Sequence, residues 1–387
     1  MLRANCTATH RVSKGTRRPE VSGAKRGFSL AAFLQTATIA GGGLSMDRRL
    51  FLIGAGAAPL VFVTDLQAAE RAEAGRLLVL IDLIGGNDGA NTLVPYREKT
   101  YFRARPNIAL DARSLLPLSR EQALHGSLRE IMPLWDAGEL ALVQGVGCAQ
   151  GSLSHHRATE ILDSASLDDR PFQPGWLARA LALHPATRRA GVQALTACPD
   201  GSGPFHGLAR CRRLDDAEAG ASVARFGFPP DALGRALAGA CAELVSGCDA
   251  TVVQVALDGF DTHENQLPAH AALLATLARS MASLRNVLAA MGRWCDTVVM
   301  TRSEFGRLAH ENLSAGTDHG NAGLQLLAGG AIAGGLHGQA LNFDQLDSRG
   351  GFLPTLDFRA VYSAVSERWL GVRTPPVPAS TGGLFRV

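Results

Sequence analysis

The segment Leu77–Gly89, LLVLIDLIGGNDG, is the strongest indication of the fold in this sequence. Seven of its first eight residues are apolar, and such a run is typical of a strand that is covered on both faces of a parallel sheet. The turn Gly85–Gly89 lets the chain bend tightly and approach a ligand. The segment therefore predicts a buried strand that delivers the carboxylate of Asp88 to the carboxyl edge of a sheet, where ligands bind. A plain turn is the alternative interpretation.

Three further runs, Leu140–Val146, Thr251–Leu257 and Thr297–Thr301, have the same apolar character. Helical patterns lie between them, most clearly over Ala271–Trp294, where apolar residues recur every three or four positions. This alternation predicts an α/β fold with a mostly parallel sheet sandwiched by helices. Residues 186–250 are rich in Gly, Pro, Asp and Arg and lack strong strand patterns, so we expect an irregular insertion there.

The beginning of the chain has the features of an export signal. In residues 46–69, the pair Arg48-Arg49 precedes the apolar run Leu50–Val63 and a small-residue exit. This pattern predicts a twin-arginine signal peptide, a periplasmic or extracellular location, and the export machinery as a partner. An N-terminal anchor or a buried helix is the alternative. If this prediction holds, residues 1–45 are a non-native upstream extension or are disordered. We expect residues 70–387 to form a single domain.

Charge and composition argue against a nucleic-acid partner and against a stable membrane span. The net charge of +3 comes from the first 69 residues, because the remainder carries 29 basic and 32 acidic residues. This remainder has no basic stripe with interleaved aromatic residues, so we expect no nucleic-acid partner. With 46% hydrophobic residues the chain can bury a large core. The apolar run of 14 residues in the leader is short for a stable membrane span.

Residues able to do chemistry follow each of the four apolar runs. After the second run, Ser154 is predicted near a helix N-terminus, where free N–H groups favour an alkoxide or an anion. It is a candidate nucleophile for an ester, and a simple helix cap is the alternative. After the third run, Asp258–His263 has the residue types of a divalent-metal site, with a turn and a surface histidine as the alternative. The fourth run is followed by Asp318-His319 and, further along the chain, by His337. His337 is either a further metal ligand or a turn residue.

Four segments follow one another along the chain, namely Ile84–Gly89 (IGGNDG), Gly259–His263 (GFDTH), Ser303–Arg307 (SEFGR) and Gly316–Gly320 (GTDHG). In this order they resemble the domain-of-unknown-function 1501 family, which comprises exported bacterial proteins grouped with the alkaline-phosphatase-like superfamily. The resemblance covers roughly residues 77–372. It implies an alkaline-phosphatase/sulfatase-like fold with two metal ions at the carboxyl ends of the strands.

The resemblance also implies a set of metal ligands. One ion would be held by Asp88, Asp318 and His319 together with the Ser154 hydroxyl. A second would be held by Asp261 and His263, with His337 as a further candidate. The ions would be Zn²⁺, Mg²⁺ or Ca²⁺. In this chain Asp261 and His263 are two residues apart, whereas the well-known hydrolases of the superfamily space these ligands four apart.

The predicted function is therefore the hydrolysis of phosphate or sulfate esters by a serine nucleophile with one or two divalent metals. Arg307 would clamp the non-bridging oxygens of an anionic small-molecule or polymeric ester. Glu304 would bind metal or orient Arg307. The irregular second metal site motivates an alternative, a non-catalytic secreted binding or assembly protein that retains the fold.

Overall fold

A computed structural model describes residues 75–168, 173–184, 191–198, 203–214, 216–373 and 383–386. The predicted signal peptide at 46–69 and the upstream segment 1–45 lie outside these residues. All of the described residues belong to one compact unit.

The strands and helices alternate along much of the chain. The strands are β1 (Leu77–Ile84), β2 (Leu93–Val94), β3 (Leu116–Pro117), β4 (Ala123–Leu124), β5 (Leu140–Gly147), β6 (Ala194–Thr196), β7 (Cys211–Arg213), β8 (Val252–Asp258), β9 (Thr297–Ser303), β10 (Gly306–Arg307), β11 (His319–Gly320), β12 (Ala322–Ala328), β13 (Gly335–Gly338) and β14 (Leu356–Asp357). The α-helices are α1 (Gly89–Thr92), α2 (Lys99–Ala104), α3 (Met132–Asp136), α4 (His155–Ser164), α5 (Trp176–Leu183), α6 (Asp216–Phe226), α7 (Ala232–Val245), α8 (Gln266–Ala290) and α9 (Phe358–Ala364).

One large sheet organises the described residues, with the strand order β13-β5-β12-β9-β1-β8-β6-β7 and β14 paired with β5. Its strand pairings are parallel except those of β12, which runs antiparallel to both β5 and β9. The four apolar runs identified in the sequence are β5, β9, β1 and β8, at the centre of this order. The predicted mostly parallel sheet is confirmed.

Helices cover both faces of the sheet. The central strand β1 has apolar side chains on each face, and these side chains have to be buried. Alternate residues of β1, beginning with Leu77, pack in a core with α7 and α8. The intervening Leu78 and Leu80 pack in a second core with α4, α5 and α9. At roughly 25 cal/mol per Å² of buried apolar surface, these two cores are the main stabilising contribution.

The direction of β12 decides where its preceding loop lies. Because β5, β9, β1 and β8 run the same way, their carboxyl ends meet at one edge of the sheet. Since β12 runs the opposite way, its amino end is at that edge. His319, just before β12 in the short pair β10–β11, is thereby brought to the loops that follow β1, β5 and β8.

The expectation of an irregular insertion over 186–250 is wrong for the described residues in that range. Strands β6 and β7 extend the sheet beyond β8, and α7 packs against the core. With three residues each, these strands are too short to produce a pattern in the sequence. Among the described residues, no helix is both long enough and apolar enough to cross a bilayer.

Candidate metal centre

The carboxylate of Asp261, in the loop after β8, lies at the centre of a histidine cluster. His263 Nε2 and His319 Nε2 are each 3.0 Å from Asp261 Oδ1. The two imidazole nitrogens are 2.9 Å from one another. Three ligand atoms from two separate loops therefore form a triangle with sides of about 3 Å.

The opposite nitrogen of each ring has a partner that determines the tautomer. His319 Nδ1 lies 2.8 Å from the carbonyl oxygen of Leu153, which can only accept a hydrogen bond. His263 Nδ1 lies 3.1 Å from Asp318 Oδ1. A hydrogen bond from Asn312 contributes most to lowering the pKa of Asp318, which therefore accepts as a carboxylate. Both rings donate through Nδ1, so their neutral forms direct Nε2 lone pairs at each other and at Asp261.

A third histidine completes the cluster, and it is His155, the first residue of α4. Its Nδ1 is 2.7 Å from Glu304 Oε2, and its Nε2 is 3.4 Å from Asp261 Oδ2. The ring also lies edge-on to that of His319, with 4.7 Å between centroids. Glu304 orients His155 rather than Arg307, since its other contacts are Gly85 N and the Thr159 hydroxyl.

His155 was missed in the sequence, although the adjacent Ser154 was identified there as a candidate. The side chain of His156 is 85% exposed and contacts Glu160 on its own helix. Nothing local distinguishes two neighbouring histidines. The rotation of α4 about its axis relative to the sheet selects the first of them, and this rotation is set by Ile161 and Leu162 packing in the core.

The donor set fits a transition-metal ion. His155, Asp261 and His319 each offer a ligand atom, and these atoms lie within 4.8 Å of one another. His263 Nε2 adds a fourth donor against two of the same atoms. Imidazole lone pairs and a carboxylate this close together repel each other, and a cation between them would relieve that repulsion. Histidines whose other nitrogen bonds a carboxylate or a carbonyl are typical of metal ligands.

Arg307 has a different position from that of the predicted substrate clamp. Its side chain is fully buried, and Nη2 contacts Asp261 Oδ1 at 2.8 Å. Burial raises the pKa of Asp261, but the hydrogen bond and the charge of Arg307 outweigh it and hold the pKa at about 2. The guanidinium has no face toward an incoming ester, since it also binds the backbone oxygens of Gly85, Gly86, Phe260 and Thr317. Arg307 therefore joins the loops after β1, β8 and β10.

Asp88 is also placed differently from its prediction as a metal ligand. It is 1% exposed and caps α1, accepting hydrogen bonds from the amides of Ala90 and Asn91. Oδ2 lies 2.6 Å from both Arg105 Nη1 and Gln266 Nε2. Burial opposes ionisation, but the Arg105 charge keeps the pKa of Asp88 below its usual value. Its oxygens are occupied by protein donors. The buried ion pair with Arg105 ties α1 to the end of α2, and the hydrogen bond from Gln266 ties α1 to the start of α8.

The other two predicted site residues have contrasting positions. Ser154 is the exposed N-cap of α4, and its side chain makes no capping hydrogen bond. It stands between Leu153 and His155, both of which contact the cluster. His337 lies on β13 at the edge of the sheet, where Nε2 contacts the carbonyl oxygen of Ala333. Strands β5 and β12 separate it from β9, so the structure does not bring His337 to the cluster.

Known proteins show limited similarity to this chain. Residues 238–349, which include three of the four motif segments, match the family model "Protein of unknown function (DUF1501)". This match supports the resemblance found in the sequence. A comparison with curated protein sequences finds no match.

Solved structures match at low identity. One is murine ectonucleotide pyrophosphatase/phosphodiesterase 5, with 9% identity, a TM-score of 0.43, and coverage of 79% of this chain and 97% of that chain. A second is the zinc complex of the C-terminal periplasmic domain of EcEptC from Escherichia coli, with 12% identity, a TM-score of 0.38, and coverage of 66% and 74%. A third is an alkaline phosphatase superfamily protein from Vibrio parahaemolyticus, with 13% identity, a TM-score of 0.38, and coverage of 69% and 64%.

Proposed function

We propose that the protein is an exported, metal-dependent hydrolase of phosphate or sulfate esters. The convergence of three imidazole Nε2 atoms on the carboxylate of Asp261 carries this proposal. A turn or a surface histidine would account for each residue alone. Neither accounts for three rings whose Nδ1 atoms are all held by hydrogen-bond acceptors.

The residues that hold the ion are Asp261, His263, His319 and His155. An imidazole-rich set with one carboxylate favours Zn²⁺ over Mg²⁺ or Ca²⁺, which prefer oxygen ligands. When bound, such an ion supplies Lewis-acid polarisation of an ester oxygen and lowers the pKa of a coordinated hydroxyl group. One ion satisfies this donor set. Asp318 supports His263 from the side that faces away from Asp261.

Ser154 is the proposed nucleophile. Its hydroxyl is exposed and uncommitted to helix capping, at the amino end of the ten-residue helix α4. The dipole and free N–H groups of that helix end favour negative charge on the attacking oxygen or on the ester. Because the preceding carbonyl and the following imidazole both contact the cluster, Ser154 is held at its rim.

The surrounding residues fix the cluster before an ester arrives. Glu304, Asp318 and the Leu153 carbonyl orient the three rings, so little reorganisation is needed when an ion binds. Arg307 keeps Asp261 ionised and in place. With Arg307 enclosed, the attraction for an anionic ester has to come from the bound cation and the helix end, since the chain beyond the leader is slightly acidic.

Export rests on residues 46–69. The arginine pair, the apolar run and the small-residue exit support a twin-arginine signal and a periplasmic or extracellular location. The twin-arginine pathway carries folded proteins, which suits a protein that acquires its metal before export.

The test begins with metal analysis of the purified protein, followed by assays with an aryl phosphate and an aryl sulfate. We expect about one equivalent of zinc, and hydrolysis that is lost in Ser154→Ala. The double variant His263→Ala, His319→Ala should lose both metal and activity. Metal-free wild-type protein that hydrolyses neither ester, and is unaffected by these substitutions, would overturn the proposal.

The alternative is a non-catalytic binding or assembly protein, and the enclosure of Arg307 favours it, because no substrate contact is left for that guanidinium. It predicts bound metal, no turnover of either ester, and a Ser154→Ala variant that behaves as the wild type. The two functions are thus separated by turnover rather than by metal content.

A further inference from the structure

Gln266, the first residue of α8, contacts three of the loops around the candidate metal centre. Its side chain is fully buried, so the polar atoms of its amide need protein partners. Its backbone N–H donates to the carbonyl oxygen of Ala315, in the loop between β10 and β11. Gln266 therefore lies where that loop meets the loops that follow β1 and β8.

The amide oxygen of Gln266 accepts hydrogen bonds from two buried threonines. Thr317 Oγ1 donates to Oε1 at 2.6 Å, and Thr262 Oγ1 donates to the same atom at 3.2 Å. Thr262 is the middle residue of the ligand segment Asp261–His263. Thr317 is two residues before the ligand His319. One oxygen atom thus joins the two segments that carry these ligands.

The amide nitrogen determines which way the side chain is oriented. Gln266 Nε2 donates to Asp88 Oδ2 at 2.6 Å. Because Asp88 also pairs with the buried Arg105, it is a carboxylate, which only accepts hydrogen bonds. The opposite amide orientation would direct Oε1 at that carboxylate. The ion pair of Asp88 therefore keeps Oε1 of Gln266 facing the threonines.

The two ligand segments also approach each other through their backbones. A Cβ atom at Gly316 would lie 2.2 Å from the carbonyl carbon and oxygen of His263, so this approach requires glycine. The backbone N–H of Thr317 donates to the carbonyl oxygen of Thr262 at 3.2 Å. The separation of the two segments therefore depends on this contact and on the hydrogen bonds to Gln266.

We propose that Gln266 is a positioning residue of the metal centre, which holds His263 and His319 at the separation that one ion requires. It acts through the two threonine hydroxyls rather than as a ligand. Without the amide, the segments relax in the metal-free protein, and part of the binding free energy is needed to bring them back. That these histidines bind an ion rests on the proposed function, whereas ester hydrolysis is not required.

The test measures metal binding rather than activity. Zinc affinity is measured by chelator competition, with circular dichroism showing that each metal-free protein is folded. Gln266→Met removes the amide at similar volume and should weaken zinc binding about tenfold, the loss typical of residues that orient metal ligands. Thr317→Val removes one hydrogen bond and should weaken it roughly two- to tenfold. The visible absorption bands of bound Co²⁺ depend on ligand geometry and should shift in both variants.

Thr297→Val is the matched control. Thr297 is fully buried, like Thr317, and its hydroxyl donates to the carbonyl oxygen of Arg293 at 2.8 Å. It begins β9, at the opposite edge of the sheet from the metal centre. Both threonine variants should lower the urea midpoint of the metal-free protein. Thr297→Val should nevertheless keep the zinc affinity and the Co²⁺ spectrum of the wild type.

The outcomes separate this inference from the proposed function. Wild-type zinc affinity and an unchanged Co²⁺ spectrum in Gln266→Met and Thr317→Val would overturn the inference even if esters are hydrolysed. An equal loss of affinity in Thr297→Val would overturn it too, because general destabilisation would then explain the effect. A loss confined to the Gln266 and Thr317 variants supports it, even if neither aryl ester is hydrolysed.

Two further outcomes are also decisive. Wild-type protein that binds neither zinc nor Co²⁺ overturns this inference and the proposed function together. If Gln266→Met does not fold, the comparison of Thr317→Val with Thr297→Val decides the matter by the same criteria.

Discussion

Replacing Arg307 with lysine distinguishes a residue that holds loops together from one that clamps a substrate. Arg307 is 1% exposed, and its guanidinium contacts five protein oxygens. A lysine ammonium has three N–H donors, so at least two of these oxygens lose their donor. At about 1.5–3 kcal/mol for each hydrogen bond to a charged group, the variant should lose roughly 3–6 kcal/mol of unfolding free energy. That is a large share of the ~5–15 kcal/mol of an ordinary domain.

The assay is urea denaturation of the metal-free wild type and Arg307→Lys, so that metal binding does not contribute to the difference. Arg113→Lys is the matched control, because Arg113 is exposed and pairs with the nearby, exposed Asp111. The unfolding midpoint of Arg113→Lys should lie at the same urea concentration as that of the wild type. An Arg307→Lys variant with wild-type unfolding but a raised KM for esters would refute the assigned role and restore the substrate clamp.

Three further predictions follow from the geometry. His155→Ala should weaken zinc binding at least about tenfold in a chelator competition, a loss seen even for outer-shell partners, whereas the exposed His156→Ala should leave the affinity unchanged. Asp88→Asn should destabilise the fold by about 3–5 kcal/mol in urea, because it leaves the buried Arg105 charge unpaired, and the folded variant should keep its metal content. Burial lowers the pKa of His270 from 6.5 to about 4. As the pH falls, His270 is therefore protonated at a higher pH in the unfolded state than in the folded state. Stability should drop by about 2 kcal/mol between pH 7 and 5, and His270→Gln should lack this part of the slope.

The central part of the fold was predictable, because it depends on patterns that are local in sequence. All four buried strands were predicted within about two residues of their observed ends, and β1 over Leu77–Ile84 matches at both ends. The long helix was placed five residues late at its start, since Gln266–His270 mixes polar residues with Pro268. The additional strands β6 and β7 were missed because three residues carry no periodicity.

The candidate site was predictable in its location rather than in its roles. Polar residues after the four parallel strands had to collect at one edge, and Asp261, His263, Asp318 and His319 do so. Asp88 and Arg307 were expected to face a ligand, but each is enclosed by protein partners. No local pattern indicated these partners, because Asp88 is held by Arg105 and Gln266, which lie 17 and 178 residues away along the chain.

The order of strands and loops can be predicted from the sequence, because hydrophobic periodicity and glycine turns depend on near neighbours. Which distant side chains become neighbours depends on the tertiary structure. The reversed direction of β12 carried His319 to the loop of Asp261, and the rotation of α4 turned His155 inward and His156 outward. These outcomes depend on packing and pairing between distant segments, so the tertiary structure determines which residues make up the candidate metal centre.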